Sequence, residues 1–309
     1  MAVHTLEYMR QTSPALFTAV LAASAKFFRQ DLYKSLLSYA QQLVARGMAD
    51  TVVEIGFVQA MLVLVYWKEP TDSSGWLRIG YAVRLGQQLR LHMPPPREWP
   101  TEEGAARECM NRARTWIVLV CFDHSYRLHS DDGYTDSYRS RARMTHSSDF
   151  DFDGLLEASK AVQVPHDDAA ICASVEYGYL MELFDEIQPS SSMSLVTSAE
   201  AIVARTESRY LHSSARWGPL QGAAADKLSF WHANAHVNIA RARVICSGDR
   251  KDIAIAQLLC EVERLVVVIE GLVTRRQLSY LQDTAATAAL SLAECMVKVS
   301  SLVAVLSMS

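Results

Sequence analysis

The chain is 309 residues long, half of them apolar, with 30 basic and 34 acidic side chains and a net charge of −4. That length accommodates one large body or two domains, the apolar share supplies a sizeable core, and the balanced charge argues against a chain dominated by disorder. Mild acidity excludes a nucleic-acid surface spread over the whole chain, and only 13 glycines and 9 prolines favour long helices over many short strands.

From the N-terminus, Ala15 to Ala23 has the length of a secretory apolar core, but its leader carries Glu7 and only Arg10 as a strong positive charge. Ser13-Pro14 reads better as an N-cap followed by proline at the first helical position. Leu32, Leu36, Leu37, Ala40, Leu43 and Val44 recur at helical spacing, with Gly47 placed to end the segment. Ile55, Val58, Met61, Leu62 and Val65 make the next stripe, stopped by Pro70. Asp72-Ser73-Ser74 offers N-caps to a helix carrying Trp76, Ile79, Val83 and Leu89 as far as His92. Pro94 to Pro96 then enforce an extended break.

A longer helix is predicted from about Glu102 to Arg127, with Glu102 and Glu103 opposing the positive end of its dipole. Residues 128–164 are the least periodic, polar and rich in serine and aspartate, and read as one long irregular excursion on the surface. Helical pattern resumes near Ala169, stops at Pro189, and continues over 194–212, 220–246, 253–275 and 278–306. The expectation is an all-α protein of about ten helices. Apolar runs such as Met61–Trp67 and Trp116–Phe122 fall far short of the roughly 20 residues that cross a bilayer, so no membrane association is expected.

Motifs for catalysis or metal binding are weak. Cys109, Cys121, Cys172, Cys246, Cys260 and Cys295 form no C-x-x-C pair, and most sit in apolar patterns as small hydrophobes. Asp131, Asp132 and Asp136 are similar to the magnesium-binding box of terpene cyclases, but Gly133 interrupts the spacing and no second metal motif follows. His232 and His236 stand four apart on a predicted helix, where the zinc-protease pattern needs a glutamate in place of Ala233. Arg139, Arg141 and Arg143 alternate beside aspartates and read as a solvated loop. Gly-x-Ser-x-Gly, dinucleotide and phosphate-loop patterns are absent. The stretch from Trp76 to Ala82 has a tetratricopeptide look that nothing repeats about 34 residues away. No enzyme, cofactor or structural metal is expected in this chain.

A more specific constellation runs through the first half. Ser13-Pro14-Ala15-Leu16 opens an alanine-rich helix, and Val58-Gln59-Ala60-Met61-Leu62 leads into Tyr66-Trp67-Lys68. Trp76-Leu-Arg-Ile-Gly80-Tyr81-Ala82-Val83-Arg84-Leu85 closes in Leu89-Arg90-Leu91-His92, and Arg112-Ala-Arg114-Thr-Trp116 continues to Cys121-Phe122-Asp123-His124. Leu228-Ser-Phe-Trp231-His232 to Arg241 follows later. This order resembles the regulatory middle homology region of fungal zinc-cluster transcription factors, over roughly residues 8–245. Two departures stand out: His124 replaces a common arginine, and Ser130-Asp131-Asp132-Gly133 stands where Gly-Arg-Pro often follows. The six-cysteine zinc cluster with which that family binds DNA does not occur in this sequence.

The resemblance implies a nuclear regulatory domain over residues 1–245, with 246–309 supplying C-terminal helices packed on the same body. It implies a small-molecule effector and transcriptional co-regulators as partners, with a second copy of the chain as a further one. Zinc and DNA would be engaged only through a domain that this sequence does not contain. Trp76, Arg84, Trp116 and Asp123 are the candidate ligand-binding residues. Their bland reading is that the two tryptophans lock neighbouring helices and that Arg84 and Asp123 serve a buried ion pair or a backbone cap. The alternatives are an all-α enzyme with an apolar pocket, terpene-cyclase-like, and a helical interaction scaffold.

Overall fold

In the computed structural model, the described residues are 5–69, 71–94, 96, 98–129, 223–246 and 251–275, with scattered positions at 168, 171, 172, 201, 203–205, 207, 208, 211, 212, 215, 293, 296 and 297. All of the regular structure among them is α-helical. The chain divides into two compact units, Met1–Asp168 and Ala169–Ser309.

The first unit is organised around its most apolar helix. Helices α1 (Leu6–Thr12), α2 (Pro14–Phe28), α3 (Gln30–Ala49), α4 (Ile55–Tyr66), α5 (Gly75–Gln88) and α6 (Glu103–His129) follow one another. Helix α4 is apolar nearly all round and buries Phe57, Val58, Ala60, Met61, Leu62, Leu64 and Val65. A helix with no polar face needs neighbours on several sides, and α2, α3, α5 and α6 all pack on it. The alanine-rich stripe of α2, with Ala15, Ala19, Ala22 and Ala25 buried, is one such neighbour. Small side chains there let two helices approach closely.

Several terminators differ in detail from the sequence expectation. Gly47 does not end α3 but lies inside it, where a Cβ would clash with the Phe57 ring. It is a point of close approach to α4. The helix stops two residues later, with Thr51 at a left-handed φ of 55°, Val52 N–H donating to Gly47 O at 2.9 Å and Thr51 N–H to Met48 O at 3.4 Å. Helix α5 ends in the same way at Arg90 (φ 57°), with Leu91 N–H donating to Gly86 O and Arg90 N–H to Gln87 O. Both are Schellman ends built without the usual glycine. Ser13 precedes α2, as expected, yet its hydroxyl does not cap that helix. It donates instead to Glu54 Oε1 at 3.2 Å, ahead of α4. At the start of α6, Glu102 accepts from the backbone N–H groups of Gly104 and Ala105.

In the second unit, α7 (Ala223–Cys246) and α8 (Lys251–Thr274) form a helical hairpin. Phe230, Ala233, Val237 and Ala240 of α7 meet Ile255, Leu258, Val262, Leu265 and Leu272 of α8 in one apolar cluster. The spacing alternates three and four, the seam pattern of helices that pack nearly side by side. The boundary drawn between 245 and 246 falls at the end of α7, next to the link between these two helices.

Candidate functional site

The four candidate residues do not converge. Trp116 and Asp123 are buried on α6, whereas Trp76 is 49% exposed on α5 and Arg84 is exposed farther along the same helix. The expectation that Trp76 locks two helices is therefore corrected. The buried residues of α5 are Gly75, Ile79, Ala82, Val83, Leu85 and Gly86, and Trp76, in the first turn, lies at the rim of that stripe, on the side of Val83 seven residues on. Arg84 forms no buried ion pair; it donates to Gly80 O, one turn back, at 3.0 Å. Asp123 is buried at 6% exposure.

What the structure does assemble is a junction on α6, from residues adjacent in sequence that point three ways. Asn111 and Thr115, one turn apart, face α4: Gln59 Nε2 donates to Asn111 Oδ1 at 2.8 Å and to Thr115 Oγ1 at 2.9 Å. Thr115 in turn donates to Asn111 O, and Gln59 Oε1 is buried with no partner among the described residues. Arg112 and Trp116, again one turn apart, face α5. The Arg112 guanidinium donates to Leu89 O at 2.6 Å, capping a helix end whose carbonyls lack intrahelical donors. Trp116 and Leu119 press on Gly86, where a Cβ would lie 3.3 Å from the indole and 3.0 Å from Leu119. The ring of His92 stands 5.8 Å from that of Trp116.

The third direction is Arg114, whose Nε and Nη2 each donate to Asp168 at 2.7 Å in a two-pronged pair. Asp168 is 2% exposed, so the pair is buried on the carboxylate side. Sequence reasoning singles out Arg112, Arg114 and Trp116 as a motif but misses Asp168 and the Gln59 network. The one local signal is a pair of arginines inside an apolar helix, and no spacing rule reaches a partner more than fifty positions away.

Electrostatics elsewhere are structural. Burial works to raise the Asp72 pKa, but the Ser74 hydroxyl and N–H and the Arg78 guanidinium outweigh it and hold the carboxyl below its ordinary value. Lys26 donates to Trp67 O and Lys68 O past the end of α4 and pairs with Glu69 at 3.5 Å. The Tyr33 hydroxyl donates to Glu69, which lowers that carboxyl. Burial pushes the Cys121 thiol up to about 12, so it is protonated at neutral pH and a poor nucleophile. His232 and His236 are half-buried on α7 and both lowered, first by desolvation. No group of three or more potential metal ligands gathers among the described residues, and no described helix is long and apolar enough to cross a membrane. Asp131, Asp132, Asp136, Arg139, Arg141, Arg143 and the excursion from 130 to 164 lie outside the described residues. Leu128 and His129, counted into that excursion, complete the last turn of α6.

Among known proteins, the chain is similar to protein priB of the fungus Lentinula edodes, at 35% identity over 127 residues, 40% of this chain and 20% of that protein. The aligned part is thus about a fifth of the relative's length. No protein-family profile matches the chain, and no solved structure does.

Proposed function

We propose that this chain is a regulatory helical domain of a fungal transcription factor, working in the nucleus by binding rather than by catalysis. The observation that carries the reading is where the resembling motifs fall. The Gln59 segment, the stretch from Gly80 to Leu91 and the Arg112–Trp116 segment meet at the three-way junction on α6, so the motifs belong to one packed unit. The similarity to a fungal protein supports the same direction.

A junction of this kind ties α4, α5 and Asp168 to one helix, α6. A small-molecule effector or a co-regulator that prefers one arrangement of these elements biases the whole unit by its differential affinity, with no chemistry required. Zinc and sequence-specific DNA contact belong, in this reading, to a zinc-cluster domain outside this sequence. The test is a reporter assay in a fungal host, with the chain fused between a heterologous DNA-binding domain and an activation domain. The fusion is expected to change reporter output several-fold relative to the two domains joined without the chain, and Arg114→Met is expected to alter that change. Output indistinguishable from the control at equal nuclear protein level refutes the reading.

A further inference from the structure

Glycine inside a helix costs stability, because it loses the most backbone freedom on folding. In the first unit, most mid-helix glycines have a visible reason. A Cβ would strike Phe57 from Gly47, Ser13 from Gly56, and Leu119 and Trp116 from Gly86. Gly80, in the middle of α5, is different: the nearest atom to a Cβ there is Arg84 Nη1, the far end of a flexible side chain, at an ordinary 3.6 Å. Among the described residues, nothing presses on this glycine.

The surface around Gly80 is apolar and cationic. Trp76 is 49% exposed and Leu77 65% exposed, one turn toward the N-terminus. Arg84 is exposed one turn toward the C-terminus, with its guanidinium folded back to the Gly80 carbonyl. Helix α5 contains no carboxylate that would neutralise it. Trp76 and Arg84 are therefore placed symmetrically, four residues to either side of the open glycine. When two identical helices cross antiparallel at one residue, position −4 of one faces position +4 of the other. A two-fold crossing at Gly80 sets each indole against the partner's guanidinium, twice over. The face is complementary to itself in charge, a cation against a π-face, and in shape, a notch against a notch.

We infer that the α5 face centred on Gly80 is an isologous interface for a second copy of this chain, with Trp76 of each protomer stacked against Arg84 of the other. The absent Cβ at position 80 lets the two backbones approach. Trp and Arg are the residue types that most often dominate an interface, and a two-fold contact needs only one self-complementary patch. This inference stands independently of the transcriptional reading.

Sedimentation equilibrium of the purified chain over a wide concentration range tests it. Wild type is expected to show a reversible monomer–dimer equilibrium. Trp76→Ala and Arg84→Ala are each expected to weaken it about tenfold, and Gly80→Leu to abolish it. Arg84 is exposed, Gly80 is partly so and Trp76 is half-exposed at the rim of the buried stripe, so helicity by circular dichroism is the control that each variant stays folded. The decisive arm mixes Trp76→Ala with Arg84→Ala. The mixed dimer keeps one intact Trp–Arg pair where each homodimer keeps none, so the mixture is expected to associate more tightly than either variant alone. A wild type that stays monomeric, a dimer indifferent to these substitutions, or a mixture no tighter than its components each overturns the inference.

Discussion

The junction on α6 gives its sharpest prediction at Arg114. Replacing it by methionine keeps most of the stem volume and helix propensity but leaves the Asp168 carboxylate, 2% exposed, without its two-pronged partner. Breaking a buried pair from one side costs about 3–5 kcal/mol. The Arg114 side chain is itself 22% exposed, which places the expected loss near the lower end, at about 3 kcal/mol. For a unit of this size each kcal/mol moves the midpoint by roughly 2–4 °C, so the first unit should melt about 6–12 °C lower. Replacing both residues, as Arg114→Met with Asp168→Leu, removes the buried carboxylate along with its guanidinium and is expected to recover part of that loss. The assay is urea denaturation of wild type and both variants, with hydrogen exchange read at the peptides containing residues 114 and 168. The exchange readout separates this unit from the second, whose unfolding would otherwise blur a single transition. If Arg114→Met costs less than about 1 kcal/mol, or the double variant is no better than the single one, the pair does not stabilise the first unit in this way.

The other predictions concern glycine, helix ends and protons. Gly47→Ala is expected to destabilise the first unit by about 1–3 kcal/mol through overpacking against Phe57, whereas Gly80→Ala should stabilise the isolated monomer by about 0.5–1 kcal/mol; chemical denaturation of the pair distinguishes a packed from an open glycine. Arg90→Gly relieves a left-handed φ of 57° at the end of α5 and should add about 0.5–1 kcal/mol in the same assay, partly offset by the freer unfolded chain. His232 and His236 have folded pKa values below their ordinary 6.5, first because burial disfavours the charged ring. Their unfolded forms bind protons more readily, so this contribution to stability is full above 6.5 and is lost as pH falls through the lower folded values. Urea midpoints of the second unit should drop on acidification from about pH 8 to about pH 5, and replacing both histidines by glutamine should flatten that dependence.

The helical class and most element positions were legible because they rest on local signals. Apolar periodicity, Pro14 at a first helical position and Glu102 ahead of α6 each act within one turn, and the corresponding helices formed where expected. Facing direction was less legible. Trp76 shares α5 with a genuine apolar stripe, but it lies in the first turn at the rim of that stripe, where about half of the side chain stays in solvent, and no sequence rule says which rim positions a neighbouring helix covers. Gly47 and Thr51 show the same limit at a helix end. Glycine is the usual terminator, yet here the tertiary contact with Phe57 claimed it and a threonine took the left-handed position. The partners of Arg112 and Arg114 were out of reach altogether, since a carbonyl at Leu89 and a carboxylate at Asp168 are set by the fold and not by spacing.

The two tryptophans of the resembling segments show how a single helix pair divides its labour. Trp116 lies on α6 against Gly86, and that contact, with the Arg112 cap, fixes α5 in place. Trp76 lies on the exposed side of α5, one turn from a glycine that no described residue fills. A helix held rigidly on one side can present the other as a preorganised surface, since the rotamer and backbone freedom that association would otherwise remove is already restricted. Any ligand or partner that shifts the Arg112–Leu89 or Trp116–Gly86 contact therefore changes the orientation of Trp76 and Arg84 as a block. In the inferred dimer, the Arg112 and Trp116 contacts and the Gly80 face share one rigid element, α5, through which a shift at one would reach the other.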